Sequence, residues 1–325
     1  MESKDNAAAA CTCLIVVGVA AIVGVIAFVL LVLQLAPIDV LPQKPTQPPD
    51  QQGAVQSGTP FIFSIMDVGQ GLCVVVITPD GHSLVADGGR SGDRMQQLVI
   101  PYLREHGVTR IDYVVTTNPD QDHLGGLERL LQQLPVGAWV DPVVPNTNQS
   151  YARELALVQQ KGITPLKARR GGTLDMGPDV TAQILWPVDP LLLDGSTPSH
   201  NDHSVVLKLT YGKVSYIISG DIQARAEQKL VDANVGAELQ ADVLVVGHHG
   251  SKTSSSAAWL DAVKPSVALI GVGLNNQYGH PHDEVIQRLR FRGIAIYRTD
   301  LDGTVEVTSD GERYDVKRLG TQATP

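Results

Sequence analysis

Repeatedly in this chain a short apolar run rich in Val and Ile stops at a loop that carries Asp or His. Ile111–Thr116 runs into Asn118-Pro119-Asp120-Gln121-Asp122-His123, and Val214–Ser219 into Gly220-Asp221. Asp242–Val246 leads to Gly247-His248-His249-Gly250, and Val267–Gly271 to a loop holding Tyr278-Gly279-His280-Pro281-His282. Runs of this length and composition read as strands. Ligand-type side chains at the ends of separate strands meet only if rigid elements converge them, so the pattern asks for a sheet-built fold around a cation.

The rest of the chain fits that demand. Phe61–Met66, Leu72–Ile77 and Ser83–Ala86, separated by Gly69-Gln70-Gly71 and Asp80-Gly81, read as strands of a meander. Helical patterns cover Asp93–His106, Gln223–Val231 and the neighbourhood of His282–Arg292; Ser204–Thr210 is a further strand, and a terminal hairpin is expected from Ala295 to Thr308. Strands followed by helices, in two similar halves, predict an α+β fold with a sheet-on-sheet core covered by helices. Within it Cys73 stands alone, the other cysteines being Cys11 and Cys13. No disulfide framework or CxxC zinc motif forms there, so any metal must be held by His, Asp or Glu. The formal net charge of −9 provides no footprint for tight, sequence-independent nucleic-acid binding. Carboxylates clustered at a metal site would supply part of that charge, and a bound cation would reverse it locally.

Ahead of this domain, which spans 61–325, residues 14–36 hold no charge and are almost entirely Val, Ile, Leu, Ala, Gly and Phe. At about 1.5 Å per residue the run is long enough to cross a hydrocarbon layer of about 30 Å and reads as one transmembrane helix. A cleaved signal peptide is the alternative, but its apolar stretch is usually shorter and no clear cleavage site follows here. Residues 1–13 form a short N-terminal segment, and the Pro-rich, polar stretch 37–60 is a semi-extended linker. Glu2, Lys4 and Asp5 on one flank, with Asp39 and Lys44 on the other, leave the orientation open.

Each loop has an ordinary reading beside the chemical one. Asn118-Pro119-Asp120 is also a turn sequence, with Asp122 a helix cap, and Asp221 taken alone reads better as the N-cap of the helix that follows it. The adjacent histidines His248 and His249, between glycines and followed by Ser251-Lys252-Thr253, are poorly explained as packing or as a turn. His282 suits a helix start after Pro281, whereas His280 sits in the connecting loop. Asp67 and Asp87, at strand ends in the first half, are candidates for turn residues or for groups behind the ligands.

Taken together, Met66-Asp67-Val68-Gly69-Gln70-Gly71, Ala86-Asp87-Gly88-Gly89, the segments 118–126, 201–207 and 247–254, Gly220-Asp221, and Gly279-His280-Pro281-His282 resemble the metallo-β-lactamase-type domain of the ComEC competence protein family. The resemblance runs from Phe61 to about Gly311 and does not extend to the multi-helix channel region of such proteins, in whose place a single anchor is expected. It implies a four-layer αββα sandwich with divalent metal, zinc or manganese, between the ends of the two sheets. Carried over residue by residue, it implies metal ligands at Asp120, Asp122, His123, Asp221 and one of His248 and His249, with His248 preferred. It departs at Asn118, where the family has a histidine and an amide is a far weaker ligand. It also departs at Leu72, where the family usually has Asp. His203 is a possible replacement ligand, Asn118 a possible weak one, and His200 less suited. One tightly held metal and a second, weaker one are therefore expected.

The implied chemistry is hydrolysis of a phosphodiester, in single-stranded or double-stranded DNA or another polymer, by water activated on the metal. Asp120 or Asp221 would orient or bridge that water. His249 and His280 would face the charge developing on the phosphoryl group, with Ser251, Lys252 and Thr253 as further phosphate contacts. Two other readings stand beside it. One is a thioesterase, lactonase or β-lactamase on the same fold, although such relatives favour His at the position of Asp120. The other is a binding module with a degenerate metal site. The resemblance also implies a domain on the outer face of the membrane, with a membrane channel as a possible partner.

Overall fold

The computed structural model describes residues 58–194, 197–233 and 236–320. The expected membrane-spanning run at 14–36 and nearly all of the linker lie outside them. Among the described residues no helix is long and apolar enough to cross a membrane.

In chain order the strands are β1 Phe61–Ile65, β2 Val74–Ile77, β3 Ser83–Ala86, β4 Ile111–Val115, β5 Val136–Asp141, β6 Thr164–Lys167, β7 Thr173–Asp175, β8 Val180–Trp186, β9 Leu193–Asp194, β10 Thr197–Pro198, β11 Val206–Tyr211, β12 Val214–Ile218, β13 Val243–Val245, β14 Val267–Ile270, β15 Ala295–Arg298, β16 Val305–Ser309 and β17 Tyr314–Arg318. One sheet runs β17-β16-β1-β2-β3-β4-β5-β6 and the other β15-β14-β13-β12-β11-β8-β7, with β9 and β10 forming a separate short ladder. Each large sheet is antiparallel on one side and parallel on the other. In the first, β1 to β3 are antiparallel and β3 to β6 parallel. In the second, β7, β8, β11 and β12 are antiparallel and β12 to β15 parallel. Parallel neighbours all end at one edge of their sheet, which is why the loops after β3, β4, β12, β13 and β14 can meet.

The near-continuous apolar runs follow from burial on both faces. Phe61, Phe63 and Ile65 of β1 enter the core between the sheets, while Ile62 joins the core under the first set of helices. In the second sheet Val243 and Val245 face inward and Leu244 faces the other helices. The two sheets touch directly where the Phe61 and Phe63 rings lie 5.0 and 4.8 Å from Tyr216. Helices Leu127–Gln133 and Gln149–Gln160 cover the first sheet through Leu127, Leu130, Leu131 and Val158. Helices Ala224–Asp232, Ala257–Val263 and Asp283–Phe291 cover the second through Leu230, Trp259 and Leu289 among others. Helix, sheet, sheet, helix is the expected four-layer α+β sandwich.

One expected element is different. Ala295–Thr308 is not a hairpin: β15 pairs parallel to β14 in the second sheet, whereas β16 crosses to the first and pairs antiparallel to β1. The hairpin is β16–β17. The run Val305–Ser309 is buried almost throughout, and the place left for it lies beside β1.

Candidate metal centre

The loop that leaves β4 is tied down before it reaches any ligand. Thr117 donates through its backbone N–H and its hydroxyl to the Asp87 carboxylate, at 2.7 and 2.6 Å. Asn118 is fully buried; its Oδ1 accepts from the Asp120 N–H at 2.9 Å and its Nδ2 donates to Ser204 Oγ at 3.2 Å. Ser204 Oγ also accepts the Asp221 N–H at 3.0 Å, so one hydroxyl joins the loops after β4 and β12. The Gly-Gln-Gly turn closes on the same loop. A Cβ at Gly71 (φ 125°) would come within 2.1 Å of the Asp122 carbonyl oxygen, and the Leu72 N–H donates to that oxygen at 3.1 Å. Leu72 itself is buried in the core between the sheets.

At the centre, Asp122, His123 and His249 offer ligand atoms that all lie within 4.8 Å of one another. Asp221 belongs to the same group: its Oδ2 is 3.1 Å from His123 Nε2 and its Oδ1 is 3.7 Å from His249 Nε2. Both imidazoles are buried and held from behind. His123 Nδ1 bonds the Asp87 carboxylate at 2.7 Å, and His249 Nδ1 bonds the Gly271 carbonyl at 2.8 Å. Each bond selects the tautomer that leaves Nε2 free toward the centre, the arrangement that orients metal-bound histidines. His123 Nε2, His249 Nε2 and Asp221 Oδ1 are buried without a hydrogen-bond partner among the described residues. Buried polar atoms are rarely left so. Nitrogen and carboxylate donors converging in this way fit a divalent cation of the first transition row.

The electrostatics agree. Burial alone would raise the Asp122 carboxyl, but His249, with Nε2 3.4 Å from Oδ2, and the charge of His123 hold it well below the usual range. Burial likewise opposes ionisation of Asp221, and His123 and His249 overcome it. Burial disfavours a charged His123, yet Asp221 and Asp87 raise it well above the ordinary histidine value. The site thus stabilises positive charge at its centre. His280, at the mouth, is pushed down to about 4 by burial and then by His248, His249 and His282.

The other expected residues fall around this group. His248 Nε2 lies 3.9 Å from Asp221, and its Nδ1 meets Thr253 Oγ1 at 3.2 Å. His248 and His249 both have left-handed backbones, φ 51° and 53°, a conformation that costs a non-glycine residue about 1 kcal/mol or more. Adjacent residues are thereby aimed at different partners. Asp120 is half-buried and turned to His200, with Oδ1 and Nδ1 at 3.1 Å. His203 is buried away from the centre, where Nε2 accepts from the Leu192 N–H and Nδ1 donates to the Ser199 carbonyl, at 2.6 and 2.5 Å. Ser251, Lys252 and Thr253 do not line the cavity: Ser251 bonds Thr253, and the Lys252 N–H donates to His282 Nδ1. Asp221 caps no helix; the N-cap of Ala224–Asp232 is Gln223.

A cavity of about 290 Å³ opens on the centre, lined by Asp120, Asp122, Asp221, His248, His249 and His280 together with Gln70, Arg90, Gln121 and Tyr278. Gln70 bridges the two halves, with Nε2 3.5 Å from Asp122 and Oε1 accepting from the Gly273 N–H at 3.3 Å. Gln70 and Arg90 were visible in sequence only as neighbours of the Gly69-Gln70-Gly71 and Asp87-Gly88-Gly89 turns.

Comparison with known proteins bears on the same residues. A family model described as the metallo-beta-lactamase superfamily matches residues 66–273. ComE operon protein 3 of Bacillus subtilis strain 168 is 32% identical over 272 residues, 79% of this chain and 33% of that protein. Competence protein ComA of Neisseria gonorrhoeae is 31% identical over 263 residues, 81% of this chain and 33% of that protein. The chain spans about a third of the length of these curated relatives. Among solved structures, Igni18, a metallo hydrolase from the archaeon Ignicoccus hospitalis, aligns with a TM-score of 0.50 at 15% identity over 75% of this chain and 98% of its own; at that identity the likeness shows the fold alone.

Proposed function

Because the chain belongs to the metallo-beta-lactamase superfamily, we propose that it is a metal-dependent hydrolase acting on phosphodiesters, with DNA or another phosphodiester polymer as substrate. The observation that carries this reading is the group of Asp122, His123, Asp221 and His249, the last three buried with inward-facing atoms that have no hydrogen-bond partner among the described residues. A cation held there, zinc or manganese, would supply Lewis acidity toward a phosphoryl oxygen and bring the pKa of water toward neutrality. Asp120 at the second ligand position of the loop after β4, where lactam- and thioester-cleaving relatives favour histidine, supports the diester. The competence relatives support DNA.

In this reading His249 is a ligand, and His248 is the neighbouring imidazole on the cavity wall. Asp120, bonded to His200, lies at the mouth, where it can orient water. His280, with its pKa near 4, is neutral at pH 7 and offers an uncharged imidazole to charge growing on the phosphoryl oxygens. Thr253 steadies His248 rather than binding phosphate, and Ser251 and Lys252 sit behind it. Asn118, with its amide bonded at both ends, offers little to a second cation, so one cation is held tightly and any second weakly. Residues 14–36 anchor the domain outside the cell, and a membrane channel is a partner in keeping with the competence relatives; protease treatment of intact cells should then remove the domain.

The full-length chain supplied with zinc or manganese should cleave bis(p-nitrophenyl) phosphate and a DNA oligonucleotide. Chelation and Asp122→Ala should each abolish both activities. Cleavage of a lactam or thioester with no action on either diester would reject the assignment.

A further inference from the structure

The cavity rim carries two residues from opposite halves of the fold that the catalytic centre does not use. Arg90 follows the Asp87-Gly88-Gly89 turn after β3, and Tyr278 lies in the loop after β14. The Arg90 guanidinium donates to the Tyr278 hydroxyl at 3.3 Å, across 188 positions of chain. Both are held at their bases. The Gly88 N–H donates to the His123 carbonyl at 2.5 Å, the Gly89 N–H to the Leu72 carbonyl at 2.8 Å, and Gln121 Nε2 to the Arg90 carbonyl at 3.3 Å. On the other side Asn276 accepts the N–H groups of Tyr278 and His280 and donates to the His280 carbonyl. The Tyr278 ring stacks on His280, centroids 5.6 Å apart and planes 24° apart, yet the residue is 44% exposed.

Among the described residues Arg90 is the only Arg or Lys lining the cavity, and no carboxylate forms an ion pair with it. A guanidinium fixed at the edge of an acidic centre is suited to a phosphate other than the one being cleaved. An exposed tyrosine ring held by a rigid loop is suited to stacking a nucleobase. Within a duplex the faces of internal bases are covered by their neighbours, so away from a duplex end the ring can take only an unpaired base.

We propose that Arg90 and Tyr278 hold the strand beside the cleaved bond, Arg90 on the adjacent phosphate and Tyr278 on an unpaired base, and so make the site selective for single-stranded nucleic acid. The proposal rests on the phosphodiester reading and adds to it the residues that choose the strand.

The test uses the full-length chain in detergent, a short fluorescent oligothymidine and the same strand paired with oligodeoxyadenosine. In EDTA, where no turnover occurs, Tyr278→Ala should weaken binding of the strand on the order of tenfold, and Tyr278→Phe, which keeps the ring, should restore most of it. Arg90→Ala should weaken binding and make its dependence on log salt shallower by about 0.7. With metal, KM for the oligonucleotide should rise on the order of tenfold in both alanine variants. KM for bis(p-nitrophenyl) phosphate, which has no neighbouring phosphate or base, should move less than about threefold. If wild type cleaves the small diester but the variants bind the strand as wild type does, or lose single strand and duplex equally, this proposal falls and the phosphodiester reading stands. If wild type cleaves neither diester, both fall.

Discussion

His123 is oriented by a residue 36 positions earlier, and that bond shows what a single residue can and cannot reveal in sequence. Asp87 accepts from Thr117 twice and from His123, is completely buried, and has φ 62°. Asn tolerates that backbone and nearly matches the shape, so Asp87→Asn should leave the fold intact while removing the charge behind His123. The expected outcome is a loss of metal affinity of about 10- to 100-fold by titration calorimetry, with near-wild-type melting of the metal-free chain. Asp122, His123 and Asp221 are assigned as ligands in the sequence through the resemblance, since Asp122 and Asp221 read alone also suit helix caps. The choice between His248 and His249 was not legible, since adjacency says nothing of direction. Two successive left-handed residues and the carbonyl of Gly271 decide which ring turns inward, and both are properties of the folded backbone.

At the scale of elements, strands were legible wherever both faces are buried and the run is uniformly apolar, as in β1, β2, β13 and β14. The stretch from Leu127 to Trp186 is less legible. Helix Gln149–Gln160 carries exposed polar residues over much of its length, and its contact with the sheet includes the buried carboxyl of Glu154. Glu154 Oε1 accepts from Thr116 Oγ1 and Trp139 Nε1, each at 2.8 Å, while Oε2 is buried without a partner. Burial, opposed by those two bonds, pushes its pKa up to about 8. An unfolded glutamate titrates near 4.5, so between these values the folded chain holds a proton that the unfolded chain has released. Stability from this group is therefore complete in acid and is lost as pH rises through that window. Melting temperatures measured from about pH 5 to about pH 9 should fall less steeply in Glu154→Gln than in wild type. An identical slope would mean that Glu154 is ionised in the folded state.

At the scale of the whole molecule, the site exists because two sheets of similar build put the parallel ends of their strands together. Asp87, Asp122 and His123 come from the first sheet, Asp221 and His249 from the second, and the hydroxyl of Ser204 and the amide of Gln70 tie the halves at the seam. The sandwich was legible from strand and helix order. The crossing of β16 back to β1 was not, because pairing between the two ends of a chain leaves no local pattern. The central claim is that this seam holds one tightly bound divalent cation through Asp122, His123, Asp221 and His249. Elemental analysis of the full-length chain after dialysis, in wild type, His249→Ala and His248→Ala, tests it directly. The account predicts about one zinc or manganese per chain in wild type, almost none in His249→Ala, and retention of most of it in His248→Ala. A wild type that keeps no metal, or a His249→Ala chain that keeps it while His248→Ala loses it, would contradict the account.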